Sequence, residues 1–362
     1  MSFSAADHAH MALALRLAAR GLFTTTPNPR VGCVLVKEEA IVGVGWHEKA
    51  GGPHAEVNAL AMAGSGARGA TAYVTLEPCS HYGRTPPCAD ALIAAGVSRV
   101  VAAMVDPNPL VAGQGLDRLR AAGIAVETGL LESEARELNL GFVSRMTRGR
   151  PWLRLKIATS LDGKTALANG QSQWITGPAA RRDVQAWRAR SCAILTGSGT
   201  VLQDNPRLSV REIDCPRQPL RVVADSRLRI PEDAALLSGG PCLIASAKPA
   251  ADKAARLAAR GIEVLTLPDA QGRVDLAALL AELARRGCNE VLAEAGAHLA
   301  GALVTAGLVD EFLLYQAPLL LGDAARGMVA LGELSALAQA PRLAILERRA
   351  IGADLFIRAR CA

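Results

Sequence analysis

One group of side chains in this sequence has the types and spacing of metal ligands: His54, Cys79 and Cys88. An imidazole and two thiolates supply three of the four ligands of a tetrahedral zinc ion and leave the fourth position to water. Glu56 follows the histidine by two residues and is not needed as a ligand. We therefore predict a zinc site with a free carboxylate beside it.

The free carboxylate indicates what the site does. In zinc deaminases a glutamate that is not a ligand moves protons between the water on the metal and the substrate, and this is the role that we predict for Glu56. Alone, a His-Ala-Glu tripeptide is more often a helix start, and two cysteines are more often buried thiols. Their joint occurrence, with each motif at the opening of a helix, favours a catalytic site.

Local sequence patterns predict how these residues are positioned. A helix over 55–63 has His54 at its mouth, a strand over 70–76 leads to Cys79, and a helix over 88–95 begins at the last cysteine. Two helix N-termini then converge on one metal ion. The positive ends of their dipoles stabilise thiolate and bound hydroxide.

The other segments of the first half also alternate between strand and helix. Helices are predicted over 5–20, 115–122 and 132–146, and strands over 31–37, 41–47, 99–105 and 124–128. Such alternation implies a sheet with helices on both faces. The composition changes over Arg145–Pro151, and a boundary there gives domains of residues 1–148 and 149–362.

The second half has the pattern of another α/β domain with its own core. Strands are predicted over 152–158, 193–196, 220–225, 242–245, 262–267, 290–294, 311–317 and 355–358, and helices over 178–190, 250–260 and 276–286. Two places suggest a nucleotide: the turn 197–200, and the glycine-containing segment 295–301, after which a helix opens. Neither has the Gly-x-Gly-x-x-Gly spacing, and turn chemistry alone also explains each.

Composition and charge exclude several classes of protein. The 362 residues are 50% hydrophobic, which is ample for two cores, and carry a net charge of +6. The basic residues are scattered and lack neighbouring aromatic residues, so an anionic small substrate is favoured over a nucleic acid. The N-terminus lacks a signal-peptide pattern, and no apolar run reaches transmembrane length. We expect a cytoplasmic protein with reduced thiols and no membrane partner.

Three short segments resemble the cytidine-deaminase-like superfamily: Thr26–Pro29, Pro53–Glu56 and Glu77–His81. Eight residues separate Cys79 from Cys88, where two are typical of the superfamily. This longer loop resembles one branch in particular, the bifunctional deaminase/reductase family of riboflavin biosynthesis.

Further segments resemble the same family, so that the resemblance covers essentially the whole chain. In the first half these are Asp106–Pro109 and Gly113–Gly115, and in the second half they are Lys156–Lys164 and Ser172–Thr176. The second pair resembles the reductase half of the family. The resemblance implies an α/β protein, in which an N-terminal cytidine-deaminase-like three-layer α/β/α domain is followed by a dihydrofolate-reductase-like α/β domain.

The resemblance also implies two successive reactions. The first is zinc-dependent hydrolytic deamination of 2,5-diamino-6-(5-phosphoribosylamino)pyrimidin-4-one to 5-amino-6-(5-phosphoribosylamino)uracil. The second is reduction of the ribosyl chain of that product to ribityl, with NADPH as the cofactor. A homo-oligomer is expected by the same resemblance.

The family pattern assigns residues of the second half to cofactor and substrate. The implied NADPH contacts are Ala158, Trp174, Thr200, Asp204, Gly296, Ala297, His298, Leu299, Ala300, Gly301 and Ala302. The implied substrate contacts are Ser172, Arg188, Leu208, Arg211 and Glu294. Guanidinium groups bind phosphate oxygens bidentately, which suits Arg188 and Arg211 to the substrate phosphate. Lys156 and Glu294 are the candidates for proton transfer, with a purely structural Lys–Glu pair as the alternative.

In the first half, Asn28 and Arg84 are the candidate substrate contacts. Asn28 is caught between two prolines, where it either forms a turn or binds a pyrimidine edge. Arg84 either binds the ribose phosphate or is simply solvated. His47 and His81 are either loop residues on the rim of the site or substrate contacts.

Two other functions are compatible with parts of the sequence. A nucleic-acid-editing deaminase with an added RNA-binding domain would need a basic surface with aromatic residues, which the sequence does not offer. A degenerate deaminase fold that serves as a binding module would not need His54, Glu56, Cys79 and Cys88 together. Bound zinc and ammonia release distinguish the enzyme from both.

Overall fold

The chain is divided into two units, Met1–Gly149 and Arg150–Ala362. The structure, a computed structural model, describes residues 3–80, 87–109 and 111–361. Within these ranges no helix has the length and hydropathy that a bilayer span requires.

The first unit is built on a sheet of five described strands. The strands are β1 (Gly32–Lys37), β2 (Ala40–Trp46), β3 (Thr71–Val74), β4 (Arg99–Ala102) and β5 (Ala125–Thr128). The helices are α1 (Ala5–Ala19), α2 (Ala55–Ala63), α3 (Cys88–Ala95), α4 (Gln114–Ala121), α5 (Glu132–Leu138) and α6 (Leu140–Arg148). The order is β2-β1-β3-β4-β5, in which β1 is antiparallel to both neighbours and β3, β4 and β5 are parallel.

Alternate residues of β1 face two different layers of helices. Cys33 and Leu35 belong to a buried cluster that also contains residues of α2, α3 and α4. Val34 and Val36 belong to a cluster that contains residues of α1, α5 and α6. The three-layer α/β/α arrangement expected for this half is therefore confirmed.

The single helix predicted over 132–146 is wrong, because two helices meet at Asn139. The buried Asn139 side chain accepts a hydrogen bond from the backbone N–H of Arg30 at 2.8 Å and donates to the Arg30 carbonyl oxygen at 2.9 Å. Asn139 has φ −117° and ψ 22°, outside helical geometry. Helical periodicity does not reveal a partner that lies 109 residues away in sequence.

The second unit is built on a mixed sheet of nine described strands, with a separate two-stranded pair. The strands are β6 (Trp152–Ser160), β7 (Lys164–Ala166), β8 (Ala193–Gly197), β9 (Leu220–Ala224), β10 (Cys242–Ser246), β11 (Glu263–Thr266), β12 (Glu290–Glu294), β13 (Glu311–Ala317), β14 (Arg326–Gly327), β15 (Leu343–Ile351) and β16 (Asp354–Cys361). The helices are α7 (Pro178–Arg190), α8 (Ser198–Asp204), α9 (Ala251–Ala259), α10 (Leu276–Arg285) and α11 (Ala297–Thr305).

The main sheet has the order β11-β10-β9-β8-β12-β6-β13-β16-β15, while β7 pairs with β14. Its strands are parallel from β11 through β13, and β16 is antiparallel to both β13 and β15. Because these strands are parallel, their carboxyl ends all lie on the same side of the sheet. Ligands of open α/β sheets bind just beyond the carboxyl ends of the strands.

Several segments of the second half differ from the sequence-based expectation, including the short strands β7 and β14, which the sequence patterns do not predict. Residues 343–351, for which no strand is predicted, form the edge strand β15. The expected turn at 197–200 opens helix α8, and α11 begins at Ala297 rather than after 301. Burial of Val201 in α8 and of Ala300 in α11 shows that tertiary packing outweighs the local turn propensity.

A buried ion-pair network joins the central strands of this sheet. Arg154 of β6 is 1% exposed and donates to the carboxylates of Glu290 on β12 and Glu311 on β13. Arg190 of α7 also binds Glu290 at 2.8 Å, and Arg360 of β16 binds Glu311 at 3.0 Å. Arg358 binds Glu311 as well, at 3.3 Å. Each buried carboxylate therefore has at least two cationic partners, which offset its loss of hydration.

Removal of Arg154 would leave two buried carboxylates short of a partner. We expect Arg154→Ala to lower the free energy of unfolding of the second unit by about 3 kcal/mol, measured by urea denaturation with circular dichroism. Arg285→Ala is the control, because Arg285 pairs with Glu282 on the surface of α10 and such pairs contribute little. Equal midpoints for the two variants would show that the buried network adds no stability of its own.

Candidate active sites

The three predicted zinc ligands meet at one place in the first unit. His54 is the residue before α2, Cys88 is the first residue of α3, and Cys79 follows β3. Their ligand atoms all lie within 4.8 Å of one another. The His54 Nδ1 atom is 3.1 Å from the Cys88 Sγ atom and 3.6 Å from the Cys79 Sγ atom.

This donor set fits a tetrahedral zinc ion. Zinc binds imidazole nitrogen at about 2.0 Å and thiolate sulfur at about 2.3 Å, so the two donors of one ion lie roughly 3.5 Å apart. The nitrogen–sulfur distances of 3.1 and 3.6 Å are close to that value. Thiolates with an imidazole favour zinc over magnesium or calcium, which prefer oxygen. No fourth protein donor joins the group in the described part of the chain.

The start of helix α3 favours the thiolate form of Cys79. The backbone N–H of Cys88, which has no helical partner there, donates to the Cys79 Sγ atom at 3.2 Å. Hydrogen bonding from the Cys88 thiol also lowers the pKa of Cys79. The positive end of the helix dipole acts in the same direction.

Helix α2, which carries Glu56 in its first turn, is held in position by close packing against the sheet. A Cβ at Gly45 of β2 would lie 2.3 Å from the carbonyl oxygen of Ala55, so a larger residue would displace the helix mouth. Glu56 is buried, and burial, followed by the charge of Cys79, raises the pKa of its carboxyl to about 7. A carboxyl group of this kind both accepts and donates protons near neutral pH.

Asn28 is connected to the zinc-ligand group through the side chain of His47, which contacts both Asn28 and His54. Its Nδ2 atom is 3.0 Å from the His47 Nε2 atom, and the His47 Nδ1 atom is 2.9 Å from the Pro53 carbonyl oxygen. The His47 and His54 rings are in edge-to-face contact, with centroids 5.4 Å apart. His47 is only 2% exposed, and burial lowers its pKa. His47 is therefore a buried residue next to the site and does not lie on its rim.

Sequence reasoning missed the part that Glu77 plays. Its buried carboxylate accepts hydrogen bonds from the backbone N–H groups of Asp106, Gly113 and Gly115 at 2.8 to 3.0 Å. A Cβ at Gly115 would lie 1.9 Å from the Pro78 carbonyl oxygen, so this loop packs tightly against the chain that leads to the cysteine ligand. The only signal in the sequence is a carboxylate directly before the Pro-Cys pair.

Two residues of the sequence analysis, His81 and Arg84, lie outside the described residues. They belong to the segment 81–86 between the two cysteine ligands. The role predicted for Arg84 at the ribose phosphate therefore stays a prediction.

The second unit contains a cavity of about 1970 Å³ at the carboxyl ends of β6, β8, β9 and β12. A single small-molecule pocket occupies roughly 300–1,000 Å³, so this cavity has room for a cofactor together with a substrate. Its walls include most of the predicted contacts, namely Ala158, Ser172, Trp174, Arg188, Thr200, Asp204, Leu208, Arg211, Glu294, Gly296, Ala297, His298, Leu299, Gly301 and Ala302.

Ala300 is the exception among the predicted cofactor contacts. It is fully buried in the core of the unit and does not line the cavity. The segment forms a helix from Ala297 onward, and successive residues of a helix point in different directions. Gly296 and His298 line the cavity where α11 begins, and the free N–H groups of a helix start suit a cofactor phosphate.

Lys156 and Glu294 are register partners on the neighbouring strands β6 and β12. Glu294 is paired with Arg188, whose Nε and Nη2 atoms donate to its two carboxylate oxygens at 2.6 and 2.9 Å. Burial raises the pKa of Glu294, but the charges of Arg188, Lys156 and Arg211 and the hydrogen bonds from Arg188 together lower it below its ordinary value. Burial lowers the pKa of Lys156, which forms no ion pair with Glu294 among the residues described.

Another wall of the cavity carries an exposed aromatic surface. The Trp174 side chain is 67% exposed, with the Arg181 guanidinium 4.6 Å from its ring centroid. The Ser172 hydroxyl donates to the Asp204 carboxylate at 3.2 Å and ties this loop to α8. An indole at a cavity wall offers a flat surface to the ring of a ligand.

Two family models match the chain. The cytidine and deoxycytidylate deaminase zinc-binding region matches residues 4–104, which include the zinc ligands and Glu56. The RibD C-terminal domain matches residues 151–357, which include the walls of the cavity.

Relatives match along nearly the whole chain. The riboflavin biosynthesis protein RibD of Escherichia coli (strain K12) is 53% identical, with 96% of this chain and 98% of the relative covered. The protein of the same name from Haemophilus influenzae is 49% identical, with 98% and 97% covered.

Solved structures agree with this relationship. RibD of Acinetobacter baumannii has a TM-score of 0.92 and 47% identity, with 99% of both chains covered. A Thermotoga maritima diaminohydroxyphosphoribosylaminopyrimidine deaminase/5-amino-6-(5-phosphoribosylamino)uracil reductase has a TM-score of 0.86 and 31% identity, also with 99% of both chains covered. The expected fold and family are confirmed. The chain belongs to the RibD family of bifunctional enzymes of riboflavin biosynthesis, which join a deaminase domain to a reductase domain.

Proposed function

We propose that the domain of residues 1–148 deaminates 2,5-diamino-6-(5-phosphoribosylamino)pyrimidin-4-one to 5-amino-6-(5-phosphoribosylamino)uracil. The domain of residues 149–362 then reduces the ribosyl chain of that product to ribityl with NADPH. The observation that carries this proposal is the zinc-ligand group with buried Glu56 beside it, in a chain whose second unit has a cavity for a cofactor and a substrate. The name of the Thermotoga maritima relative contains the same two activities.

In the first domain we assign the proton transfers to Glu56. His54, Cys79 and Cys88 would hold a zinc ion, which would lower the pKa of a bound water toward neutrality. The Glu56 carboxylate accepts a proton from the attacking water and delivers it to the exocyclic amine, which leaves as ammonia. Support comes from the buried position of Glu56 in the first turn of α2, two residues after a ligand.

Substrate contacts in the first domain are assigned to Asn28 and Arg84. Asn28 binds an edge of the pyrimidine, which its place beside His47 and the zinc ligands supports. Arg84 binds the ribose phosphate, an assignment that depends on the resemblance of the loop between the cysteines.

In the second domain the protein positions the substrate and moves a proton, while the cofactor supplies hydride. Hydride adds to C1′ of the ring-opened imine, and the imine nitrogen takes up one proton. Lys156 is the donor that we assign, because burial lowers its pKa and makes the ammonium group a stronger acid. Glu294 stays ionised beside Arg188, and its charge acts on Lys156 across the strand pair.

The substrate phosphate is assigned to Arg188 and Arg211. Arg188 donates three N–H groups, two to Glu294 and one to the Ser209 carbonyl oxygen, and an arginine side chain has five. Two N–H groups therefore remain for a phosphate. Ser172 and Leu208, which line the same cavity, complete the substrate surface.

NADPH is assigned to the remaining walls of the cavity. Gly296 and His298, which line the cavity at the start of α11, would hold its phosphates. The other contacts are Ala158, Trp174, Thr200 and Asp204. The choice of NADPH over NADH follows the family resemblance.

We further propose that the enzyme acts on its small-molecule substrate in the cytoplasm as a homo-oligomer, without a nucleic-acid partner. All eight cysteines belong to the described residues and none forms a disulfide, as in proteins of a reducing compartment. Support for self-association comes from the edge strand β15, which exposes Leu343, Ile345 and Leu346. An exposed apolar edge strand is a template for pairing with another chain.

The purified protein with the diaminopyrimidine ribosyl phosphate tests the two-step proposal. We expect ammonia release without NADPH, and NADPH oxidation only after deamination, because the second site uses the product of the first. Ammonia is measured by an enzyme-coupled assay and NADPH by its absorbance. Oxidation of NADPH with the 2,5-diamino compound itself, before ammonia is released from it, would contradict the proposed order.

Replacement of Glu56 tests its assignment as the proton carrier. Glu56→Gln keeps the shape and burial of the side chain but not its basicity, so we expect retained zinc and a deaminase kcat lowered about 10²–10⁴-fold. Zinc is measured by mass spectrometry and turnover by ammonia release. The control Glu38→Gln, in the exposed turn between β1 and β2, should behave as wild type. An active Glu56→Gln enzyme would remove Glu56 from the mechanism.

The pH dependence of NADPH oxidation tests Lys156. An acid must be protonated to act, so the reductase kcat should fall as pH rises through the pKa of Lys156, which burial holds below its ordinary value. Lys156→Met should lower kcat about 10²-fold or more and lose this limb of the profile. The exposed Lys248→Met is the matched control. The same limb in Lys156→Met would assign the proton to another group.

A further inference from the structure

The Asn28 carboxamide belongs to a hydrogen-bonded chain with one consistent set of donors. The Pro53 carbonyl oxygen accepts and cannot donate, so the His47 Nδ1 atom at 2.9 Å must carry a hydrogen. In a neutral imidazole the Nε2 atom is then an acceptor. The Asn28 atom that faces Nε2 at 3.0 Å must therefore be a donor, which identifies it as the amide nitrogen Nδ2.

The hydrogen bonds from Pro53 through His47 to Asn28 determine which end of the Asn28 amide faces a ligand. The amide nitrogen Nδ2 of Asn28 donates a hydrogen bond to His47, and no described residue forms a hydrogen bond with the Asn28 Oδ1 atom. Asn28 is only partly buried, while His47 is interior and touches the ring of the ligand His54. With its nitrogen turned toward His47, the amide next to the metal site presents its carbonyl oxygen, which is a hydrogen-bond acceptor.

We propose that His47 is a positioning residue that holds the Asn28 amide with its nitrogen inward, so that the Oδ1 atom accepts a hydrogen bond from an N–H group of the pyrimidine. The Pro53 carbonyl, directly before the ligand His54, sets the tautomer of His47 and thereby the direction of the amide. The proposal deepens the proposed deaminase function and rests on it. A pyrimidine with amino groups and a ring N–H satisfies such an acceptor, whereas a ring that presents only acceptors leaves it unpaired.

Kinetics separate a positioning role from a structural one. His47→Leu frees the amide to rotate, and we expect a KM for the substrate raised roughly fivefold to tenfold, the effect of one hydrogen bond, with kcat within about twofold of wild type. His47→Gln, whose side chain has both a donor and an acceptor, should recover most of the affinity. The control His10→Leu, in which His10 packs against Tyr73 away from this chain, should leave KM unchanged.

A double-mutant cycle tests whether His47 acts through Asn28. In an Asn28→Ala background the His47→Leu change should have no further effect on KM, because the amide that it positions is gone. If the increases in KM caused by the two single changes multiplied in the double variant, the proposal would be overturned. An unchanged KM in His47→Leu would overturn it as well. Zinc content and thermal melting of each variant exclude loss of folding as the cause.

The tautomer itself is measured without turnover. In the zinc-loaded full-length protein labelled with ¹⁵N-histidine, long-range ¹H–¹⁵N spectra distinguish protonated from unprotonated ring nitrogens, and the six histidines give few signals. The His47 signal is the one lost in His47→Gln. We expect the hydrogen on Nδ1, and a hydrogen on Nε2 would overturn the proposal. Failure of the proposed function would instead be seen as wild-type enzyme that releases no ammonia, whatever the tautomer.

Discussion

Convergence of two helix starts on one set of ligands is the constraint on which the first domain depends. Helix α2 brings His54 and Glu56, helix α3 brings Cys88 with a free backbone N–H, and the chain after β3 brings Cys79 to that N–H. Three donors within 4.8 Å require both helices to lie close to the sheet. Small residues permit this approach, since a Cβ at Gly45 would collide with the first turn of α2.

Strand β12 carries one buried carboxylate in the core of the sheet and another that lines the cavity. Glu290 at its amino end is fully buried and held between Arg154 and Arg190, where it joins the strands to one another. Glu294 at its carboxyl end lines the cavity and is held by Arg188. Both carboxylates need a guanidinium partner because burial without one is costly. The second is also the register partner of Lys156, whose pKa is lowered by burial.

Sequence patterns predicted most of the fold because periodicity and turn residues act over short distances. The helix that begins at Cys88 and the strand over 290–294 have the expected bounds, since their apolar patterns and flanking residues agree. The failures have long-range causes. Asn139 breaks a helix because its side chain binds the backbone of Arg30, and the edge strand β15 lacks an alternating buried face to reveal it.

By itself the sequence determined the ligand types, their spacing and the family, because these are written in residue identities along the chain. Only the tertiary structure decided which of these side chains meet, and in what electrostatic state. It showed that Arg188 faces Glu294, that Ala300 lies in the core, and that His47 is interior. The physical reason is that hydrogen bonding, burial and pKa depend on neighbours in space, and packing rather than sequence distance selects those neighbours.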